Sequence, residues 1–318
     1  YNGDHFGNLI WAQYASNAAP NHRFYESNAD KKDFNLYSKV TQRLGTAWTV
    51  YADVQYRTVA YNSRGTVKGP EPIAIDDTLS FFNPKAGITY RASEASRLYL
   101  SYAKAQREPN RSDYENGTPK SESLNDFEAG WRFKEEKVQL QANLYYMDYE
   151  NQLVLTGALD AVGEPIRTNS GASYRFGLEI EAAIQFAEQW VWQPNLAVSS
   201  NKNKDFYFKR DGLLQNLGTT NISYSPSIVG ASNLVYAPST VFRIALLSKY
   251  VGEQYMGNID ADLSKLEAYL TNDINISYVW TPNSWIKEAQ FSLLVNNIFN
   301  ELYTSNGFFY TFDDDYSV

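Results

Sequence analysis

The stretch 107–116, REPNRSDYEN, crowds Arg107, Asn110, Arg111, Asp113 and Tyr114 into a few positions. Guanidinium, amide, carboxylate and phenol groups so placed can grip a polar solute as a ligand-facing wall. They can equally satisfy one another at a strand end packed against other parts of the protein. Farther on, the stretch 205–210, DFYFKR, sets Phe206, Tyr207 and Phe208 beside Lys209 and Arg210. Aromatic faces stack on sugars or aromatic chelators, and the cations attract carboxylates. Packing of one loop on another uses the same residues.

Acidic residues supply other candidates. Asp260, Asp262 and Glu267 lie in one polar stretch, and Asp313, Asp314 and Asp315 in another. Calcium takes about six to eight oxygen ligands. The 258–263 segment, NIDADL, has no glycine at the turn of an EF-hand-like pattern, so solvated acidic loops are the expectation. Asp53, Glu128, Glu179 and Glu181 can be read as acid–base pairs. Arg57, Arg132 and Arg175 fall on the same side of their strands, so structural ion pairs explain these carboxylates without chemistry. There are no cysteines and two histidines, which excludes thiol nucleophiles and leaves little for a metal site. No phosphate loop or nucleophile elbow is present. The expectation is a protein that is not an enzyme and carries no cofactor or metal. A net charge of -8 without a basic, aromatic-interleaved patch argues against nucleic acid.

These loops must be held by strands, because period-two alternation dominates the chain. Tyr174, Phe176, Leu178, Ile180, Ala182, Ile184 and Phe186 form one face, while Ser173, Arg175, Gly177, Glu179, Glu181 and Gln185 form the other. Val138, Leu140, Ala142, Leu144 and Tyr146 repeat the pattern, as do Trp48, Val50, Ala52, Val54 and Tyr56. Alternation puts one face in an apolar medium and the other in water. The strands read as about 12–15 residues long, beyond what globular sheets use, which fits tilted strands crossing a bilayer. The composition agrees: aromatics make up 15% of the chain, yet mean hydropathy is -0.47.

Short links at 43–47, 92–96, 133–137, 187–189 and 237–240 alternate with long polar stretches at 62–79, 107–121, 151–172, 204–218 and 252–270. Tight turns on one side and long loops on the other mark an outer-membrane barrel. Trp48, Trp190, Trp192, Trp280 and Trp285 flank the short links, where an aromatic girdle would lie. Pro226 predicts a bulge or kink within the run 219–236, and the link at 281–288 is longer than its neighbours. The count is roughly 13 strands, an odd number that no finished single-chain bacterial barrel has.

Residues 83–90 (NPKAGITY), 98–114 (LYLSYAKAQREPNRSDY), 122–131 (ESLNDFEAGW) and 295–303 (VNNIFNELY) resemble segments of the TonB-dependent receptors. Residues 152–157 (QLVLTG), 173–181 (SYRFGLEIE) and 250–258 (YVGEQYMGN) resemble the Bacteroidetes branch of that family. The resemblance implies an all-β, antiparallel up-and-down transmembrane barrel, here about strands 9–21 of a 22-stranded one. Residues 1–318 would form part of that single domain, with an N-terminal plug and the last strand outside them. It also implies a bacterial outer-membrane receptor importing a scarce solute with energy from TonB. Its partners would be outer-membrane lipid, TonB through the plug, and a small ligand such as an iron chelate, vitamin or glycan. A passive porin or adhesin barrel shares the same strand grammar, a soluble glycan-binding sheet is a third reading, and a barrel enzyme such as an outer-membrane protease or lipase comes fourth for want of a catalytic set.

Overall fold

The computed structural model describes all residues except 15–17, 68–70, 160–164, 170, 211–212, 283–284, 308 and 311–318. For 155, 157–159, 165, 209–210 and 213–214 it describes the backbone alone. The acidic run 313–315 therefore lies outside the described residues.

The main sheet path runs through β1 (Asn2–Asn8), β2 (Arg23–Leu44), β3 (Trp48–Val67), β4 (Glu71–Arg91), β5 (Ser96–Arg107), β6 (Glu122–Lys134) and β7 (Val138–Glu150). It continues through β8 (Ala172–Ala187), β9 (Trp190–Lys204), β10 (Ile228–Tyr236), β11 (Phe242–Val251), β12 (Tyr269–Trp280) and β13 (Ala289–Val295). Each strand pairs with the next in sequence, so neighbours in the chain are neighbours in the sheet. Every pairing is antiparallel. Among the described residues, only the two-residue strand Thr220–Asn221 joins from the side, against β9. This meander is the wall of an up-and-down barrel.

Cross-strand rows carry the sequence alternation into three dimensions. Tyr102, Phe127, Tyr146 and Phe176 stand opposite one another across β5 to β8, and Leu144, Leu178 and Val198 form a parallel row. Leu246, Ile274 and Val295 extend the same face. These side chains are uncovered: Phe127 is 48% and Phe176 46% exposed. So broad an apolar face far exceeds the few hundred Å² that soluble monomers leave bare, and it requires an apolar surrounding. The other face carries Asp33, Arg57, Asn83, Glu128, Asn143 and Glu179.

Short turns join the strands at one end, as at 45–47, where Gly45 takes φ 62°, a region closed to most side chains. Aromatics gather there. Trp48 packs on Tyr90 at 4.4 Å and Trp190 on Tyr236 at 4.6 Å, while the Trp131 indole donates to Ser96 Oγ at 2.9 Å. Trp192 and Trp280 are 41% and 44% exposed at the same end.

Two details depart from the sequence reading. Within the stretch 62–79, residues 62–67 and 71–79 are strand rather than loop: β3 and β4 stay paired out to Val67 opposite Glu71, making strands of 20 and 21 residues. The reason is continued alternation beyond the first crossing, with Val67, Ile73 and Ile75 on the polar-side face forming a small buried core with Tyr61 and Tyr114. Pro226 lies in the segment 222–227, where the chain leaves β9 after Thr220–Asn221 and rejoins it at Ile228. That interruption is the kind of break expected at Pro226.

Candidate functional site

After β5 the chain turns onto the polar face and forms a short helix, α1 (Arg111–Glu115). Asn110 starts it: its side chain accepts from the Asp113 amide at 3.1 Å, while Asp113 Oδ2 accepts from the Asn110 amide at 2.8 Å. This reciprocal cap satisfies two helix-end donors. Asn116 ends the helix, donating back to the Ser112 carbonyl at 3.0 Å.

Four ties pin this loop over the sheet. Glu108 receives Arg57 through both guanidinium nitrogens at 2.8 Å and Lys31 Nζ at 2.9 Å, and Arg57 also binds Asp33 at 2.6 Å. Burial pushes the Glu108 carboxyl up, but hydrogen bonds from Arg57 and Lys31 outweigh it and hold the group down to about 2. Tyr114 donates to Asp77 Oδ2 at 2.6 Å, and burial together with that carboxylate raises its phenol well above the usual range. Arg111 bridges Glu115 at 2.7 Å and Ser27 Oγ at 2.7 Å. The Arg167 guanidinium lies 3.2 Å from the buried Asp113 carboxylate.

Between α1 and the upper parts of β1 to β4 lies a cavity of 340 Å³, lined among others by Lys31, Tyr61, Glu108, Asn110, Arg111 and Tyr114. Of the first group of sequence candidates, Asn110, Arg111 and Tyr114 converge here. Asp113 is instead consumed by the helix cap and Arg167. Arg107 points elsewhere, to Glu122 at 3.1 Å, and remains exposed.

The second group stands on a different loop, between β9 and β10. Phe206 is 2% exposed and exchanges backbone hydrogen bonds at 2.8 Å with Leu217 and Gly218. It thus forms the foot of a hairpin, Tyr207–Arg210 paired with Leu213–Asn216, rather than a ligand surface. Tyr207, by contrast, is 52% exposed. The side chains of Lys209 and Arg210 lie outside the described residues.

Sequence reasoning missed the groups that tie loops together. Glu108 sits inside the 107–116 segment without a local signal of its role, and Lys31 and Asp33 share the Arg57 face by simple parity. A second cluster is built on buried Asn203, whose Nδ2 reaches Thr220 Oγ1 at 3.2 Å, the Asn221 carbonyl at 3.3 Å and Asn258 Oδ1 at 3.4 Å. Asp260 accepts from the Asn221 amide at 2.9 Å and side chain at 3.1 Å. Its carboxylate therefore fastens one loop to the next rather than standing solvated. Among the described residues no group of three or more His, Cys, Asp or Glu could hold a metal. Of the inward arginines, Arg57 is ion-paired, whereas Arg132 and Arg175 lie over the rings of Tyr99 at 5.1 Å and Tyr149 at 4.8 Å.

The same architecture occurs in solved receptors. The ferric-catecholate import receptor Fiu of E. coli K12, in its closed form, superposes with a TM-score of 0.66 at 18% identity, covering 95% of this chain and 46% of that one. The siderophore receptor PiuA of Acinetobacter baumannii gives 0.70 at 14% identity, covering 90% and 42%. The ferric citrate transporter FecA, unliganded, gives 0.71 at 15% identity, covering 90% and 43%. The chain thus spans less than half the length of these proteins, and at such identities the likeness is one of fold. No curated protein sequence matches. A family model described as TonB dependent receptor-like, beta-barrel, matches residues 1–298. With the thirteen-strand meander and its apolar outer face, that match identifies the chain as a member of the TonB-dependent receptor-like β-barrel family, whose members are transport proteins rather than enzymes.

Proposed function

We propose that this chain is part of the wall of a bacterial outer-membrane receptor that imports a scarce small solute using energy delivered by TonB. The observation that carries the reading is the inward-folded loop 108–116. A porin-like wall needs only an open lumen, whereas here α1 is capped, ion-paired and hydrogen-bonded over the polar face, where it borders a half-open cavity of 340 Å³. That volume suits a small molecule rather than a bulk flow of solutes. The long loops lie at the end of the strands opposite the Trp-flanked turns, so the cavity faces the outside and the girdle faces the periplasm.

The cavity sets Arg111 and Lys31, ion-paired to Glu115 and Glu108, beside Tyr61 and Tyr114 as aromatic faces, with Asp4 and Glu108 also in its lining. Such a mixed lining suits a polar, ring-bearing chelate, whose oxygens would draw Arg111 and Lys31 from their carboxylate partners while the rings meet its planar groups. Among the solved proteins of like fold, Fiu is a ferric-catecholate import receptor, PiuA a siderophore receptor and FecA a ferric citrate transporter. Exposed Tyr207 on the β9–β10 hairpin supplies a further contact at the mouth.

Uptake decides the matter. Cells expressing the complete parent protein should accumulate radiolabelled ferric chelate, and should stop when TonB is deleted or the proton-motive force is collapsed. Accumulation unaffected by either treatment would instead make the barrel a passive pore.

A further inference from the structure

β4 pairs with β3 from Glu71 to Tyr90, yet with β5 only from Lys85 to Arg91. Pairing with β5 stops at Pro84, the next residue up. Along an antiparallel strand the N–H and C=O of one residue address the same neighbour, and successive residues alternate sides. The Arg91 amide donates to the Ala47 carbonyl on the β3 side at 2.7 Å, whereas the Phe82 amide donates to Gln106 Oε1 of β5 at 3.2 Å. Even-numbered residues of β4 therefore face β5. Pro84 has no N–H to offer there, and a proline on that side ends the ladder.

Above this point the continuation of β5, 108–116, turns onto the polar face instead of running beside β4. The N–H and C=O groups of Ala74, Asp76, Thr78 and Ser80 thus face away from β3 with no backbone partner among the described residues, and all four residues are exposed. Among the described residues from β3 to β12, no other strand leaves so long an edge open. The break beside β9 is patched by the chain itself, through Thr220–Asn221 and the Ser199 amide on the Ser227 carbonyl at 2.8 Å. The outward side chains around the β4 edge, Thr58, Asn62, Asp76, Thr78 and Ser80, are polar. The edge therefore stands beyond the apolar belt that ends at Tyr56 and Phe82, in water, where open backbone groups are tolerated.

We infer that this edge is a docking site for an extended segment of another protein, which adds as a strand beside β4. Donor and acceptor groups recurring every second residue, roughly 7 Å apart, match the backbone of a strand, a spacing that a compact chelate does not reproduce. The side chains narrow the partner. Asp76 and Glu71 are exposed acids, which favours a basic residue opposite Asp76, and Phe82, 56% exposed at the foot of the edge, favours an apolar one. The β3–β4 hairpin thereby gives the long-loop end of the barrel a protein-binding surface distinct from the cavity at α1.

The test uses the complete parent protein in lipid nanodiscs and a fluorescent probe peptide that alternates valine and threonine around a central lysine. Thr78→Pro removes an N–H that no described residue accepts and blocks the added ladder, whereas Thr78→Val keeps it. The probe should bind the wild type and Thr78→Val alike, and Thr78→Pro about tenfold more weakly, with Asp76→Lys also weakened. Heat-modifiable migration separates loss of the edge from loss of the barrel. On the wild type itself, hydrogen exchange at Ala74, Asp76, Thr78 and Ser80 should be fast alone and slow with the probe. Ile75, Asp77 and Leu79, which face β3, should be slow in both states. Undiminished binding to Thr78→Pro overturns the site, as do four edge amides that are already slow without the probe or unchanged by it. A wild type that self-associates and becomes monomeric with Thr78→Pro puts a second copy on the edge and overturns the foreign partner.

Discussion

Tyr99 on β5 lies across Gly130, the residue directly opposite it on β6, and its hydroxyl reaches one strand farther to donate to Asn143 at 2.8 Å. A Cβ on residue 130 would overlap the phenol ring. The same relationship recurs at Tyr51 over Gly87, Tyr145 over Gly177 and Tyr25 over Gly7, in each case between direct cross-strand partners. The glycine opens a gap in the pleat and the tyrosine fills it. A one-residue slip would place each ring on a side chain, so these pairs pin register across the wall.

Gly130→Ala should therefore destabilise the barrel by about 1–3 kcal/mol through overpacking. Gly230→Ala is the control, because a Cβ there meets its nearest atoms at an ordinary 3.6 Å. Urea unfolding from lipid vesicles should separate the two variants. Equal midpoints would remove the ring–glycine pairs from the account.

The Glu108 node predicts a pH dependence. Its carboxyl titrates at about 2 when docked, against 4.5 when free, so the stabilisation is present above 4.5 and disappears as pH falls from 4.5 to about 2. Hydrogen exchange of the 108–116 amides should stay slow at neutral pH and quicken only in that acid window. Glu108→Gln should give the fast rate at every pH, because the paired charge is gone.

Loop coupling on the far side depends on Asn203, which is fully buried. Asn203→Ala leaves partners on both loops unsatisfied and should cost about 1–3 kcal/mol. The distinguishing readout is exchange at Asn221, Ser223 and Asn258, which should rise together. A rise confined to residue 203's own strand would mean that the two loops are not clamped through this side chain.

For the ligand cavity, Arg111→Gln should weaken chelate binding about tenfold, roughly 1.4 kcal/mol, with barrel melting unchanged. Arg107→Gln, whose partner Glu122 lies away from the cavity, should bind as the wild type does. Isothermal titration of both variants with one ferric chelate checks the contrast, and equal affinities would take Arg111 out of the site.

Strand positions, their two faces and the short turns were legible because each depends on local alternation: Phe176, Leu178 and Ile180 announce their face without reference to any neighbour. The length of the β3–β4 hairpin was not, since 62–79 is polar enough to read as loop, whereas 62–67 and 71–79 become strand through burial of Val67, Ile73 and Ile75 beside Tyr114. The motif at 107–116 was visible, yet its division of labour was hidden. Asp113 serves the helix cap, and Glu108 carries the anchoring role because Lys31 and Arg57, far off in sequence, arrive beside it only through register. Asn203 escaped notice for the same reason: nothing around it in the chain signals that residues 220 and 258 will meet it. The Gly130 and Tyr99 pairing shares this character, since either residue alone is unremarkable.

The most direct measurement is membrane fractionation of the complete parent protein, with heat-modifiable migration read on the same sample. The account predicts recovery with the outer membrane, extraction only by detergent, and a mobility change on boiling as the strands come apart. Recovery in the soluble fraction without a mobility change would contradict it, because the row of exposed Phe127, Tyr146 and Phe176 would then have to be covered by protein rather than by lipid.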